Sequence, residues 1–171
     1  KNIARLNPDG TLDSTFAVGS GADKPVRDIA IQDDGKLIVV GEFGMLSDAA
    51  FGKVARLNPD GTADSGFTPG MGANDIVHAV GMQQDGGIII SGEFSTVNGK
   101  EYPFVARLLP DGTLDEEWGG VATGINGAVF DVGTLSDGKV IIGGEFTEVG
   151  GYSRNSYARL HFTGELDRNF D

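Results

Sequence analysis

The stretch VRDIAIQDDGKLIVVGEF, Val26–Phe43, sets two β-rich runs on either side of an Asp-Asp-Gly-Lys turn. The first run, Val26–Gln32, mixes apolar and polar residues, whereas Leu37–Val40 is apolar at every position. A strand that is apolar on both faces must be covered on both, so its sheet is expected to lie between two others. Proline or glycine interrupts every window of about a dozen residues in which a helix could otherwise form.

Outward from this stretch the pattern repeats. The arginines of Ala-Arg-Leu fall at Arg5, Arg56, Arg107 and Arg159, at spacings of 51, 51 and 52. Gly-Glu-Phe returns at Gly41-Glu42-Phe43, Gly92-Glu93-Phe94 and Gly144-Glu145-Phe146. The one extra residue lies between Trp118 and Val129, a step of 11 where Phe16 to Val26 and Phe67 to Val77 are steps of 10. Each repeat reads as four extended segments: a (Val26–Gln32), b (Leu37–Phe43), c (Lys53–Pro59) and d (Ala63–Phe67).

Four strands in about 40 to 50 residues, recurring at nearly constant length, is the pattern of a β-propeller blade. One such twisted sheet cannot cover its own faces and must bury them against its neighbours. The expected fold class is therefore all-β, a β-propeller built of four-stranded antiparallel blades of 51 residues. Residues 1–16 read as a half blade, and 26–67, 77–118 and 129–170 as full blades of a single repeat domain. About three and a half blades are too few to close a ring. The expectation is a part of a larger ring or protein, completed by flanking blades of a longer chain or by self-association.

Composition narrows the partners. There are 13 Lys and Arg against 25 Asp and Glu, a net charge of −12 spread along the chain, which disfavours nucleic acid and anionic membranes. No apolar run approaches the ~18 residues of a membrane-spanning helix, so no membrane insertion is expected. With no cysteine there is neither a disulfide framework nor a thiol nucleophile. The 28 glycines, about twice ordinary usage, indicate many tight turns.

Ile3–Phe16, IARLNPDGTLDSTF, followed by Val26–Phe43 resembles the delta-60 repeat, a bacterial propeller-type repeat of large, often secreted or surface-attached proteins. The resemblance covers essentially the whole chain. It implies an uncharacterised propeller module in an extracellular or cell-surface setting, with no catalytic residues to carry over. The last copy departs from the pattern, with His161-Phe162-Thr163-Gly164 in place of Asn-Pro-Asp-Gly.

The Asn-Pro-Asp-Gly-Thr motif has two readings. Asn58, Asp60, Thr62 and Asp64 place oxygens at alternate positions, as at the start of an EF-hand-type calcium loop, but no acid stands at the twelfth position. The other reading is a c–d turn, with Pro setting φ and Gly taking the left-handed position. The fourth copy keeps Gly164 and Asp167 but loses the Pro-Asp pair, which a turn survives. No cofactor and no metal are therefore expected, with calcium at Asn58, Asp60 and Asp64 as the lesser alternative.

Asp13, Asp64, Asp115 and Asp167 persist in all four copies and are expected to accept nearby backbone amides as structural staples. If b and c form a simple hairpin, Glu42 stands opposite Arg56, Glu93 opposite Arg107 and Glu145 opposite Arg159, again as structural pairs. His78 and His161 occupy non-equivalent positions, so no histidine-based catalytic or zinc constellation can be assembled.

Individuality lies in the b–c connections, residues 44–52, 95–104 and 147–156, where Tyr102, Phe104, Tyr152 and Arg154 are candidates for contact with a ligand. The glycine-rich strings Gly19–Asp23 and Gly119–Gly127 read as d–a connections rather than phosphate loops. The functional expectation is a non-catalytic scaffold for protein or glycan binding and adhesion in a secreted or surface bacterial protein. The alternative is a polysaccharide-acting hydrolase with an acidic site on the propeller axis or rim.

Overall fold

The computed structural model describes residues 2–119 and 124–170. In the first full repeat Val26–Ile31 (β1), Leu37–Gly41 (β2) and Val54–Leu57 (β5) form an antiparallel sheet with β2 central. Between β2 and β5, Met45–Leu46 (β3) and Ala49–Ala50 (β4) make a small hairpin of their own. The second repeat matches it with Val77–Met82 (β6), Ile88–Gly92 (β7), Thr96–Val97 (β8), Lys100–Glu101 (β9) and Val105–Leu108 (β10). The third follows with Val129–Thr134 (β11), Val140–Gly144 (β12), Glu148–Val149 (β13), Tyr152–Ser153 (β14) and Tyr157–Leu160 (β15). No helix occurs among the described residues. The expected connection Gly119–Gly127 is described only at Gly119 and from Gly124 onward; residues 120–123 lie outside the described residues.

Segment d joins each blade by one bridge: Leu6 to Leu12, Leu57 to Ala63, Leu108 to Leu114 and Leu160 to Leu166. Its pairing stops there because the aspartate that follows turns the chain. Asp64 N–H donates to the Arg56 carbonyl at 2.9 Å, and Phe67 N–H folds back onto the Asp64 carbonyl at 3.2 Å. The fourth strand of the blade is thus a bridge and a turn.

Apolar side chains stack the sheets face to face. Ile38 and Val40 of the first blade meet Val80, Ile88 and Ile90 of the second, and Ala79, Ile89 and Val105 of the second meet Val132, Val140 and Ile142 of the third. The opposite face of the first blade, with Val39, Ala55 and Leu57, lies on Ile3 and Phe16 of the N-terminal segment. The doubly apolar strand b is therefore covered on both sides in β2 and β7, as its sequence requires.

Gly-Glu-Phe follows from the same packing. Phe43, Phe94 and Phe146 are fully buried. A Cβ on Gly41, Gly92 or Gly144 would come within 2.3, 2.0 or 2.0 Å of a backbone carbonyl at the start of strand a, so a side chain there is excluded. Each strand a carries a bulge at its start, which swings Arg27, His78 and Phe130 out of register.

Candidate functional site

The recurrent polar cluster is built from strand c and segment d. Arg56 Nε donates to Asp64 Oδ2 at 2.7 Å, and Gly66 N–H donates to Asp64 Oδ1 at 2.9 Å. Lys36 Nζ adds a second cation on Asp64 Oδ2 at 2.9 Å. Arg5 Nε and Asp13 repeat the pair at 2.7 Å, with Thr15 N–H and Oγ1 on Asp13 Oδ1 at 2.9 and 2.6 Å. In the worn copy Arg159 Nε reaches Asp167 at 2.9 Å, and Asn169 N–H takes Oδ1 at 3.1 Å. These contacts hold Asp13 and Asp64 well below the usual carboxylate range, each at about 2. The Thr15 hydroxyl dominates at Asp13, and the Lys36 ammonium at Asp64.

The second repeat departs from the others in one respect. Gly87 stands where Lys36 and Lys139 stand in the flanking repeats, and Arg107 fills the vacated volume: a Cβ on Gly87 would lie 2.2 Å from Arg107 Nη2. From there Arg107 binds Asp115 and Asp85 and donates through Nε to Gln83 Oε1 at 2.7 Å. A single cation replaces two.

The Asn-Pro-Asp-Gly-Thr turn closes on itself and on the preceding blade. Asp60 Oδ1 accepts Thr62 N–H at 3.0 Å and Thr62 Oγ1 at 2.7 Å, and Asn58 Nδ2 donates to Thr62 Oγ1 at 3.0 Å. Arg5 Nη1 donates to the Pro59 carbonyl and Arg56 Nη1 to the Pro110 carbonyl, each from one blade to the next. Ala17 N–H meets the Asp60 carbonyl at 2.6 Å, and Thr68 N–H the Asp111 carbonyl at 2.8 Å. At the third contact Trp118 Nε1 donates to the Phe162 carbonyl at 2.7 Å, taking the acceptor that an arginine takes elsewhere.

The expected Glu–Arg cross-strand pairs are corrected by the register. Arg56 stands opposite Ile38, Arg107 opposite Ile89 and Arg159 opposite Ile141. Pairing Leu37 with Leu57 brings the apolar rows into line, and the small hairpin between b and c displaces the point of reversal from the one a direct connection would give. Glu42 meets Arg27 instead, and Glu93 meets His78 at 2.8 Å, both at the bulged position of strand a. In the third repeat this position is Phe130, whose ring contacts His78 edge-on at 5.2 Å, so strand a offers Glu145 no cation at the bulge.

The outer-loop candidates fall on two different blades. Tyr102 is buried, its hydroxyl donating to the Glu116 carbonyl at 3.2 Å, and Phe104 is half-buried against the core between the second and third blades. Arg154 holds the equivalent carbonyl, Arg168, through Nη2 at 3.4 Å. Tyr152 is exposed, with the Arg168 guanidinium 4.3 Å above its ring. Gly150, Tyr152, His161, Glu165, Leu166, Arg168 and Asn169 line a polar cleft of about 500 Å³.

A further periodic set escaped sequence reasoning. Asp23, Asn74 and Asn126 each accept two backbone N–H groups from the start of the small hairpin, at 2.9–3.0 Å. Their spacing of 51 and 52 is the signal that could have found them.

A model of the family described as "Domain of unknown function (DUF5122) beta-propeller" matches residues 1–16, 32–67, 83–117 and 135–170. The chain belongs to this family. Its DUF5122 matches cover segments c and d of the N-terminal half blade and b to d of each full repeat, and leave out most of the d–a connection and strand a. No curated protein matches the chain. Among solved structures it is similar to a protein of unknown function from Bacteroides caccae, with a TM-score of 0.48 and 10% identity over 96% of this chain and 72% of that one.

Proposed function

We propose that this DUF5122 chain is a non-catalytic propeller scaffold that binds protein or carbohydrate through its outer loops, in a secreted or surface-attached bacterial protein of the delta-60 kind. The cleft on the third blade carries this reading. It combines an exposed aromatic ring stacked by Arg168 with His161, Glu165 and Asn169, a set suited to a sugar ring or a peptide side chain. The second repeat places Lys100 and Glu116 at the positions of Tyr152 and Arg168, where they pair with each other, and the first places Ala49 and Ser65 there.

Engagement of Asp13, Asp64, Asp115 and Asp167 by arginine supports a structural rather than catalytic use of the repeated acids. Occupation of Asp60 and Asp64 by Thr62, Arg56 and Lys36 supports the turn reading over calcium. The net charge of −12 supports partners other than nucleic acid or an anionic membrane.

The test is a glycan and peptide array followed by titration calorimetry on wild type and Tyr152→Ala. Binding without turnover, weakened about tenfold or more in the variant, is expected, since an aromatic anchor carries a large share of such an interface. Release of product from a polysaccharide, or binding indifferent to Tyr152, would contradict the proposal.

A further inference from the structure

The two seams between full blades are built on one plan at the a–b turns, which lie at the opposite end of the strands from the b–c connections. Between the second and third blades two neighbouring amides close the seam. Gln83 Nε2 donates to the Gly138 carbonyl at 2.7 Å, and Gln84 Nε2 donates to the Ser136 carbonyl at 2.8 Å. Gln83 Oε1 accepts Arg107 Nε at 2.7 Å, so this amide is satisfied at both ends.

The seam between the first and second blades lacks both closures. Gln32 and Asp33 stand at the positions of Gln83 and Gln84, and the carbonyls of Gln84 and Gly86 at those of Ser136 and Gly138. A carboxylate has no proton to donate, so Asp33 cannot bridge the seam as Gln84 does. Gln32 Oε1 is buried without a hydrogen-bond partner, because Arg56, the counterpart of Arg107, keeps its Nε on Asp64 at 2.7 Å. Among the described residues no side chain of the first blade donates to the Gln84 or Gly86 carbonyl. What remains is a cleft of about 430 Å³, lined by these groups and Asp34, with Ile31 and Met82 as an apolar wall. Asp33 is exposed and pairs with no cation among the described residues. Asp34 has only Lys36 at 3.9 Å, an ammonium that Asp64 already holds at 2.9 Å.

We infer that this cleft binds an arginine side chain of a partner protein. The guanidinium supplies from outside the donors that Gln83 and Gln84 supply in the next seam: it pairs with Asp33 and donates to the Gln84 carbonyl, while its methylene stem lies along Ile31 and Met82. The chain holds a precedent, since Gln83 Oε1, the counterpart of the unpartnered Gln32 oxygen, takes Arg107 Nε. A planar fork of several N–H donors meets several acceptors at once, which the point charge of a lysine does less well. The net charge of −12 draws a basic segment toward the site. A divalent ion fits less well, for it needs many oxygens, and no group of three His, Asp or Glu able to hold a metal occurs among the described residues. The site is separate from the cleft of Tyr152 and does not depend on it.

The probe is N-acetylarginine amide, compared with its neutral isostere N-acetylcitrulline amide, each titrated into the isotopically labelled full chain and followed by amide chemical shifts. The arginine compound should shift the amides of Asp33, Gln84 and Gly86 and saturate in the millimolar range. Citrulline should bind about tenfold or more weakly, since a hydrogen bond to a charged partner is roughly twice as strong as a neutral one. Asp33→Gln restores the donor found in the next seam, so it should abolish the arginine shifts while the melting temperature stays at or above that of the wild type. No shift at tens of millimolar, equal binding of citrulline, undiminished binding by Asp33→Gln, or shifts of these amides by calcium chloride but not by arginine would overturn the inference.

Discussion

Asp64 is the residue on which the middle of the chain turns. It is buried, and it answers two cations and one amide. Asp64→Asn retains an acceptor for Gly66 N–H but leaves Arg56 and Lys36 without their counter-charge. Urea unfolding should show a loss of about 2 kcal/mol, in the range for hydrogen bonds to charged groups. Asp13→Asn should cost less than Asp64→Asn in the same melts, because an exposed ion pair is screened by water and the Arg5 side chain is 40% exposed.

Both carboxyls also impose a pH dependence. Their folded-state values of about 2 lie below the unfolded value of about 3.9, so the stabilisation they provide is fully present above pH 4 and is lost as pH falls toward 2. The melting temperature should drop through this window, and less steeply in Asp64→Asn. The importance of this aspartate was legible in the sequence, since Asp167 survives in a copy that has lost Pro and Asp from its turn. Its arginine partner was not, because Glu42 and its equivalents keep the same offset from that arginine in every repeat and offer an equally periodic match.

At the scale of the element, the c–d turn shows why one glycine persists for two reasons. Gly10 and Gly61 have φ of +84° and +88°, a conformation that costs an L side chain about 1–2 kcal/mol. Gly61 in addition lies against the Phe16 ring and Ala17 N, whereas Gly10 stands in open space. Gly10→Ala should therefore lower stability by about 1 kcal/mol, and Gly61→Ala by at least about 1 kcal/mol more, the surplus being overpacking. Equal losses in thermal or urea melts would mean that the turn does not press on the preceding blade. Backbone demand of this kind is visible in sequence as a recurrent Asp-Gly, but the ring beneath it is not, because Phe16 and Gly61 are far apart in the chain. The b–c connections were similarly opaque. Two-residue strands such as Thr96–Val97 and Lys100–Glu101 carry too little periodicity to be read, and it was this hairpin that moved the b–c register away from Glu42 and Arg56.

Over the whole molecule, spacing alone identified the blade, because a repeat of 51 residues with an apolar strand b leaves few ways to bury both faces. What spacing could not supply is how one blade holds the next. The motif that resembled a calcium loop forms the turn side of a grip between neighbouring blades, its Pro59 and Asp60 carbonyls accepting Arg5 Nη1 and Ala17 N–H. A double-mutant cycle between the first and second full blades, Phe67→Leu with Gly112→Ala, measures this most directly. A Cβ on residue 112 falls 2.8 Å from the Phe67 ring, so shortening the ring should relieve the alanine's penalty. The double variant should be more stable than the sum of the single losses predicts by about 1 kcal/mol or more, while additivity within about 0.5 kcal/mol would contradict the grip.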